Sequence, residues 1–273
     1  MYNAIDTSKL GTVNVDALAV NCEVLLHKEV RRAPFLLNVI ESQFHSNIFT
    51  YGNFSAIKGK AKSKKTFLST LLMGACLSNT TYAGKFTSGL RGRSVYYIDT
   101  EQSEWNTWNV LRRVCLLNGM SDQPTSLRGF CLRPYDTITR AQIIEKLIYD
   151  NDNIGLVVID GIRDLVRDIN SQEEATDIVN RLMRWTHERQ IHICTVLHEN
   201  KSDFNLRGHL GTEVANKCET VISVSRNETN KRISIVKADY MRDIEFEDFS
   251  FEIQEGGLPR LMSPEDAMKE IDF

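Results

Sequence analysis

The feature that most constrains the fold of this sequence is a lysine-rich turn between a short apolar run and a helical stretch. The run covers residues 54–57, and the stretch over residues 66–77 is rich in leucine, methionine and alanine. A turn between a buried strand and a helix N-terminus is where backbone amides and the helix dipole bind phosphate groups. The residues that would form such a phosphate loop are Gly59, Lys60, Ala61, Lys62, Ser63, Lys64, Lys65 and Thr66.

Two residues of this phosphate loop have the chemistry that a nucleoside triphosphate requires. We expect the Lys65 ammonium to reach the β- and γ-phosphates and the Thr66 hydroxyl to bind Mg²⁺. The pattern G-x-x-x-x-G-K-[ST] has glycine where this chain has Lys64. Because glycine adopts backbone conformations that lysine resists, Lys64 either tolerates the loop geometry or weakens the phosphate cradle. A basic surface loop without a ligand is the alternative.

Composition places the chain among ordinary globular proteins. It has 273 residues, of which 42% are hydrophobic and 25% are charged, and a formal net charge of -3. That charge excludes a uniformly basic coat for nucleic acid but leaves room for a local basic groove. No apolar run approaches the ~18 residues that span a bilayer, and the cysteines are widely spaced. We therefore expect a cytoplasmic protein without a membrane partner or a disulfide scaffold.

From about residue 46, apolar runs alternate with helix-like stretches, which is typical of an α/β fold with a mainly parallel sheet. The expected strands cover residues 54–57, 94–98, 154–159 and 191–197, and the expected helices cover residues 66–77, 103–117, 137–149 and 172–189. Runs such as IGLVVI are apolar on both faces, as in a sheet with helices on both sides. Three further strand-like runs, at residues 220–225, 232–237 and 245–253, predict an antiparallel C-terminal extension.

The domain organisation follows from where this alternation begins and ends. Residues 1–45 are expected to form an N-terminal helical arm, with an amphipathic helix over residues 15–30. This helix either packs on its own core or docks on a neighbouring subunit. Residues 46–256 form the expected α/β domain, and residues 257–273 form a C-terminal tail.

Two carboxylates follow expected strands at the point where each strand ends. Glu101 lies just past the strand over residues 94–98, and Asp160 closes the strand over residues 154–159. Because ligands of parallel sheets bind at the carboxyl ends of the strands, both acids can converge on the phosphate loop. Asp160 suits a Mg²⁺ site, and Glu101 suits the base that orients an attacking water. A helix N-cap or a solvated turn is the alternative for each acid.

Taken together, these segments resemble the RecA-like P-loop ATPase superfamily over roughly residues 46–256. The segment GKAKSKKT resembles its Walker A motif, YIDTEQ its strand before the catalytic glutamate, and LVVIDGIRDL its Walker B motif. The segment ICTVLHENK resembles the strand whose terminal polar residue senses the γ-phosphate. The resemblance implies a RecA-like core that uses ATP and Mg²⁺.

The resemblance also implies roles for individual residues. It implies catalytic roles for Glu101, Lys65 and His198, with Asn200 as an alternative to His198. It implies that Thr66 and Asp160 hold the metal ion, and that Lys237 and Arg242 reach the nucleotide of a neighbouring subunit. By contrast, Trp105 and Trp108 are expected to pack within a helix rather than to bind a base.

Within the superfamily, the chain is most similar to plasmid RepA-type hexameric helicases, with DnaB-type cores and KaiC-like ATPases as relatives. That similarity implies a homo-oligomer in the form of a hexameric ring, with single-stranded DNA, or RNA, in its channel. Two loops, at residues 161–171 and 201–212, would face the channel. Their candidate nucleic-acid-binding residues are Arg163, Arg167, Lys201, Arg207 and His209. Because both loops also carry acids, ordinary solvated loops are the alternative.

The sequence supports more than one class of function. The first is an ATP-hydrolysing motor on single-stranded nucleic acid, helicase-like or acting in replication or mobilisation of a plasmid or mobile element. The second is an ATP-binding switch with little turnover that assembles a DNA-processing complex, and Lys64 motivates it. A small-molecule P-loop kinase is a third class, but it would not need the strand before Glu101 or the three terminal strands.

Overall fold

The computed structural model describes residues 15–200 and 206–270. The chain separates into two compact units, Met1–Arg32 and Ala33–Phe273. The second unit therefore begins before the domain boundary at residue 46 that the sequence predicts.

The first unit contains a shorter helix than the sequence predicts. Helix α1 spans Val15–Cys22, whereas the predicted helix covers residues 15–30. The side chains of Val24, Leu26 and Val30 are exposed. A short helix needs a packed apolar face to be stable, and these exposed side chains do not form one.

The second unit consists of strands and helices in alternation, followed by a run of strands. Its strands are β1 Phe35–Ile40, β2 His45–Thr50, β3 Phe54–Gly59, β4 Phe86–Ser88, β5 Ser94–Asp99, β6 Leu127–Cys131, β7 Ile154–Asp160, β8 His192–His198, β9 Thr220–Arg226, β10 Ile233–Met241, β11 Phe249–Ile253 and β12 Pro259–Leu261. Its helices are α2 Lys65–Leu77, α3 Glu104–Leu117, α4 Thr137–Tyr149, α5 Gln172–Arg189, α6 Gly208–Lys217 and α7 Pro264–Glu270, with a short 3-10 helix at Ile162–Leu165.

The described residues form a nine-stranded central sheet in the order β12-β11-β10-β9-β3-β8-β7-β5-β6. Its pairs from β9 through β3, β8, β7 and β5 to β6 are parallel. The pairs from β9 to β12 are antiparallel, as expected for the C-terminal extension. The sequence therefore predicts the α/β class and both parts of the sheet. The last predicted strand is too long, because residues 245–248 precede β11 as irregular chain.

Helices cover both faces of the central sheet. One face packs against α2 and α3 through residues such as Leu71, Val110 and Val114. The other packs against α4, α5 and α6 through residues such as Ile144 and Leu182. The strands between these layers are buried on both sides, which explains their continuous apolar runs. Among the described residues, no helix is long and apolar enough to cross a bilayer.

A second, three-stranded sheet was not expected from the sequence. Its order is β2-β1-β4, and both pairs are antiparallel. The predicted helical arm runs to residue 45, but β1 and the start of β2 lie within it, so this part of the arm forms strands instead. The apolar side chains of Leu36, Leu37 and Phe49 are fully buried in the same core as α2. Burial of these side chains stabilises the strands more than any local helix propensity could.

A buried polar network joins the end of β2 to the first residues of β3 and β8 and to the residue before β9. His192 Nδ1 lies 2.9 Å from the Thr50 carbonyl, and its Nε2 lies 2.9 Å from Ser55 Oγ. The Glu219 carboxylate accepts hydrogen bonds from the Thr50 amide at 2.7 Å and hydroxyl at 2.6 Å. Burial lowers the pKa of His192 to about 3 and raises that of Glu219 to about 7. The imidazole is therefore neutral in the folded protein.

Candidate active site

The phosphate loop connects the buried strand β3 to helix α2. Lys62 and Lys64 have left-handed backbones, with φ of 65° and 73°, and the Ser63 amide donates to the Lys60 carbonyl at 3.1 Å. Left-handed residues within a turn direct successive amides into a concavity that binds anions. The first amides of α2 have no partner within the helix and extend this concavity. The backbone therefore has the shape of a phosphate cradle.

Close packing inside the loop explains why its first residue is glycine. A Cβ atom at Gly59 would collide with Ser63 Oγ and with the Val224 carbonyl oxygen. The Ser63 hydroxyl is itself buried without a hydrogen-bond partner among the described residues. A buried hydroxyl without a partner costs free energy, so its presence in the loop fits a site that receives a polar ligand.

Lys64 occupies the position where the motif has glycine. The residue adopts the left-handed conformation that glycine would supply, with φ 73° and ψ 32°. Its ammonium donates to the carbonyl oxygens of Lys231 at 2.7 Å and Arg232 at 2.9 Å. Both acceptors lie in the turn over residues 227–232 that joins β9 to β10, which we call the β9–β10 turn. The loop geometry is therefore kept despite the missing glycine.

Lys65 lies at the start of α2 with its ammonium directed back over the loop. The ammonium donates to the carbonyls of Gly59 at 2.8 Å and Lys60 at 3.1 Å. It also lies 3.1 Å from His198 Nδ1. Because the ammonium can only donate, Nδ1 must accept, and the proton of a neutral ring is then on Nε2. Burial lowers the pKa of Lys65, and the charges of Asp160 and Glu101 oppose that shift.

Thr66 and Asp160 come into direct contact at the carboxyl edge of the sheet. The Thr66 hydroxyl donates to Asp160 Oδ2 at 2.7 Å, and the Tyr97 hydroxyl donates to the same oxygen at 2.9 Å. Burial raises the pKa of Asp160 to about 6, while the hydrogen bonds from Thr66 and Tyr97 lower it. A hydroxyl and a buried carboxylate are oxygen ligands of the kind that Mg²⁺ prefers. These residues therefore fit the expected metal site.

Glu101 lies opposite the phosphate loop, in the turn that follows β5. Asp99 Oδ1 accepts hydrogen bonds from the amides of Glu101 at 3.1 Å and Gln102 at 2.8 Å, which fixes this turn. Glu101 Oε1 lies 3.8 Å from His198 Nε2. The interaction with His198 is the largest cause of the lowered pKa of Glu101, and Lys65 and Arg163 add to it. Glu101 is therefore ionised at neutral pH and able to accept a proton.

Part of the predicted loop, both acids and the histidine line one cavity of about 430 Å³, which we call the site cavity. Its size is within the range of small-ligand sites. Of the other predicted loop residues, Lys60, Ala61 and Ser63 line a neighbouring cavity instead. The described residues that line the site cavity include Lys62, Lys64, Lys65, Thr66, Glu101, Asp160 and His198. Cationic, hydroxyl and carboxylate groups in one cleft match the needs of a triphosphate with a divalent cation, so the residues present fit both.

Three further residues organise this site and are not among the candidates that the sequence motifs indicate. Tyr97 donates a hydrogen bond to Asp160, and Asp99 fixes the turn that carries Glu101. The Thr100 hydroxyl donates to the carbonyls of Asp160 at 3.1 Å and Gly161 at 2.8 Å. The register of the parallel strands pairs Asp99 with Asp160. A signal for Asp99 existed, because adjacent parallel strands that both end in aspartate bring those residues together.

The expected in-trans residues lie outside the site cavity of their own chain. Lys237 forms an ion pair with Asp248 at 2.6 Å on the antiparallel extension. The Arg242 guanidinium donates to the Lys217 carbonyl at 3.0 Å, and its backbone amide donates to the Glu219 carbonyl. Arg242 is therefore at the amino edge of the sheet, opposite the phosphate loop. Its role toward a neighbouring subunit stays a prediction.

The candidate nucleic-acid residues are exposed where the structure describes them. Arg163 and Arg167 lie after β7, and Arg207 and His209 lie after β8. Lys201 lies outside the described residues. The two segments meet, because the Leu210 amide donates to the Ile169 carbonyl at 3.1 Å. The second predicted loop is shorter than expected, since α6 begins at Gly208 and contains His209.

The two tryptophans near Glu101 are not packed as the sequence suggests. Trp105 is 68% exposed and Trp108 is 53% exposed. Helix α3 packs instead through Val110 and Val114, which are buried in the core. Trp105 and Trp108 are therefore surface residues of α3, whereas Asn106, Val110 and Arg113 of the same helix line the site cavity.

A parallel sheet with a phosphate loop after one strand and carboxylates after two others defines a P-loop nucleotide-binding protein with a RecA-like core. The chain belongs to the family described as AAA domain, whose family model matches residues 41–203. This places it in the RecA-like P-loop ATPase superfamily, as the motifs predict. A search of curated proteins gives no significant match.

The fold is also similar to that of a solved structure, described as the crystal structure of the RadB recombinase. The two are 16% identical with a TM-score of 0.53, and the match covers 77% of this chain and 90% of that chain. At this identity the likeness concerns the fold alone. The similarity to RepA-type helicases stays a prediction.

Proposed function

We propose that this protein is an ATP-hydrolysing RecA-fold motor that acts on single-stranded nucleic acid in an oligomeric ring. The observation that carries the proposal is the convergence of Lys65, Thr66, Glu101 and Asp160 on one cavity. Such a cavity provides the parts that phosphoryl transfer to water requires, namely phosphate binding, a metal site and a base.

Each residue of the site has a role in this proposal. Lys65 and the loop amides bind the phosphate oxygens, and Thr66 and Asp160 would hold Mg²⁺. When bound, Mg²⁺ neutralises charge that develops on the phosphates. Glu101 orients the attacking water and accepts its proton, and Asp99 fixes the turn that carries it. His198 lies between Lys65 and Glu101 and can respond to the γ-phosphate.

The proposal is tested by measuring ATP turnover with and without single-stranded DNA. We expect stimulation by DNA, and a loss of turnover by a factor of about 100 or more in Lys65→Ala and Glu101→Gln. The matched controls are Lys146→Ala and Glu173→Gln, which change exposed residues on α4 and α5. Turnover that survives both site substitutions would refute the mechanism.

The nucleic-acid and oligomer parts of the proposal rest on the two loops and on the in-trans residues. Arg163, Arg167, Arg207 and His209 are exposed on adjoining segments, and Lys201 belongs to the same loop by sequence. Charge-reversal of Arg163 and Arg167 should weaken DNA binding at low salt more than at high salt.

The oligomer is tested by measuring the mass of the protein with ATP and Mg²⁺. We expect the mass of a homo-oligomer, and the resemblance implies six subunits in a ring. Lys237 and Arg242 should then affect turnover only in the assembled form.

A second function is favoured by one observation, the strained lysine in the phosphate loop. Lys64 has a left-handed backbone that costs about 1 kcal/mol or more for a residue other than glycine. An ATP-binding switch that assembles a complex with little turnover would tolerate such a loop. Tight ATP binding with a change of oligomeric state and negligible turnover, even with DNA present, would favour this function over the motor.

A further inference from the structure

The contact between Lys64 and the β9–β10 turn joins two parts of the chain that are far apart in sequence. The Lys64 ammonium donates to the carbonyls of Lys231 and Arg232, which lie 167 and 168 residues further along the chain. The same residue holds the left-handed position of the phosphate loop, where the loop motif has glycine. Lys64 therefore has a strained backbone in the phosphate loop and a side chain that is anchored to the β9–β10 turn.

The anchor is rigid because the β9–β10 turn has its own internal hydrogen bonds. Asn227 Oδ1 accepts from the amides of Thr229 at 3.0 Å and Asn230 at 2.7 Å. The Arg232 carbonyl also accepts from the Ile253 amide at 2.9 Å, so it is tied to β11. A carbonyl oxygen has two lone pairs and can serve both Ile253 and Lys64. The turn thus presents fixed acceptors to the ammonium.

Positive charges near Lys64 indicate that the two carbonyl groups of the turn hold its ammonium in place. Burial, followed by the charges of Arg226 and Arg232, lowers the pKa of Lys64. An ammonium beside two guanidinium groups is repelled unless nearby dipoles offset the repulsion. Hydrogen bonds from a charged donor are stronger than neutral ones, and Lys64 makes two of them to the turn.

We propose that Lys64 is a positioning residue whose anchored side chain, in place of the glycine of the motif, holds the phosphate loop in its left-handed form. The inference rests on the proposed nucleotide function for its consequence, which is ATP affinity. The contact itself can be tested without a nucleotide. Anchoring offsets the backbone strain, so removal of the anchor should release both the loop and the turn.

The first experiment measures amide hydrogen exchange in the β9–β10 turn of the full chain without nucleotide. Lys64→Ala should speed exchange at residues 227–232 by roughly threefold to tenfold, the net worth of a hydrogen bond. Lys62→Ala is the matched control, because Lys62 has the same charge and a left-handed backbone, with φ 65°, and forms no hydrogen bond or ion pair with the turn among the described residues. Equal exchange in the turn of wild type and Lys64→Ala would overturn the proposal.

The second experiment measures the affinity for a fluorescent ATP analogue in Lys64→Ala, Lys64→Gly and Lys64→Arg. Alanine keeps the backbone strain and loses the anchor, whereas glycine loses both. We therefore expect glycine to bind the analogue about fivefold more tightly than alanine, and arginine, which keeps a cationic donor, also to exceed alanine. Equal affinities of the alanine and glycine variants would overturn the positioning role and leave only a charge effect.

The two experiments separate this proposal from the proposed function. If the wild-type protein binds no ATP analogue and Lys65→Ala makes no difference, the nucleotide function fails. The exchange rates at residues 227–232 would still decide whether Lys64 anchors the loop. Circular dichroism of each variant checks that it is folded, and the glycine variant provides a comparison that relieves strain rather than adding it.

Discussion

The Thr66 hydroxyl donates to Asp160 Oδ2 at 2.7 Å, although 94 residues separate the two in the chain. The contact joins the first turn of α2 to the end of β7, which is two strands away from β3 in the sheet. It brings a hydroxyl and a carboxylate together on one side of the site cavity, where the proposed function needs a divalent cation.

Replacing Thr66 with valine should raise the Mg²⁺ concentration that gives half-maximal ATP turnover by about 10- to 100-fold. Valine keeps the branched shape and removes the oxygen that would hold the cation. A titration of turnover with Mg²⁺ measures the effect, and Thr80→Val, an exposed threonine after α2, is the control. An unchanged Mg²⁺ dependence would show that the hydroxyl does not bind the ion.

Replacing Tyr97 with phenylalanine should move the acidic limb of the pH–activity profile upward by about one pH unit. The Tyr97 hydroxyl donates to Asp160 and so favours its ionised form. Without that hydrogen bond, the pKa of Asp160 should rise above its value of about 6. The measurement is kcat/KM against pH, with Tyr149→Phe on α4 as the control. The prediction fails if both variants keep the wild-type profile.

Replacing Gly59 with alanine should destabilise the protein by roughly 1–3 kcal/mol through overpacking. The added Cβ would collide with Ser63 Oγ and the Val224 carbonyl, so the phosphate loop must shift. ATP affinity should fall with the stability. Urea unfolding and nucleotide titration measure the two effects. Gly74→Ala, within α2, is the control, because its Cβ would meet no atom closer than 3.3 Å. Equal stabilities of the two variants would contradict the packing argument.

His192 should make the protein less stable as the pH falls below 6.5. Its pKa is lowered from 6.5 to about 3 in the folded protein, so the unfolded chain binds the proton first. Between pH 7.5 and pH 5.5, this one residue should remove about 1.4 kcal/mol of stability. The raised pKa values of Asp160 and Glu219 make the folded protein more stable as the pH falls. The pH dependence of the wild-type free energy of unfolding therefore does not show the contribution of His192 by itself.

The comparison of wild type with His192→Gln isolates that contribution, because the other titrating groups are common to both proteins. Glutamine can still donate to the Thr50 carbonyl but does not titrate. The free energy of unfolding by urea, measured at both pH values, should show a difference between the two proteins that shrinks as the pH falls. A difference that does not change with pH would mean that His192 is not held neutral by burial.

The class of fold could be predicted from local patterns alone. Apolar runs such as residues 154–159 alternate with helical stretches such as residues 172–189 over much of the chain, although this pattern misses strand β6 between two predicted helices. Runs that are apolar on both faces indicate a covered parallel sheet. The phosphate loop, Glu101 and Asp160 could be found for the same reason. In a parallel sheet the ends of strands share one edge, so their positions in sequence predict that they meet.

The sequence by itself determined the α/β class, the phosphate loop and its two facing carboxylates, because these depend on residues that are neighbours in the chain. Only the tertiary structure decided the small sheet, the anchor of Lys64 at Arg232 and the support of Asp160 by Tyr97. Each of these depends on contacts between distant segments. Burial of apolar surface and pairing of buried polar groups form such contacts, and both require the whole fold to be in place.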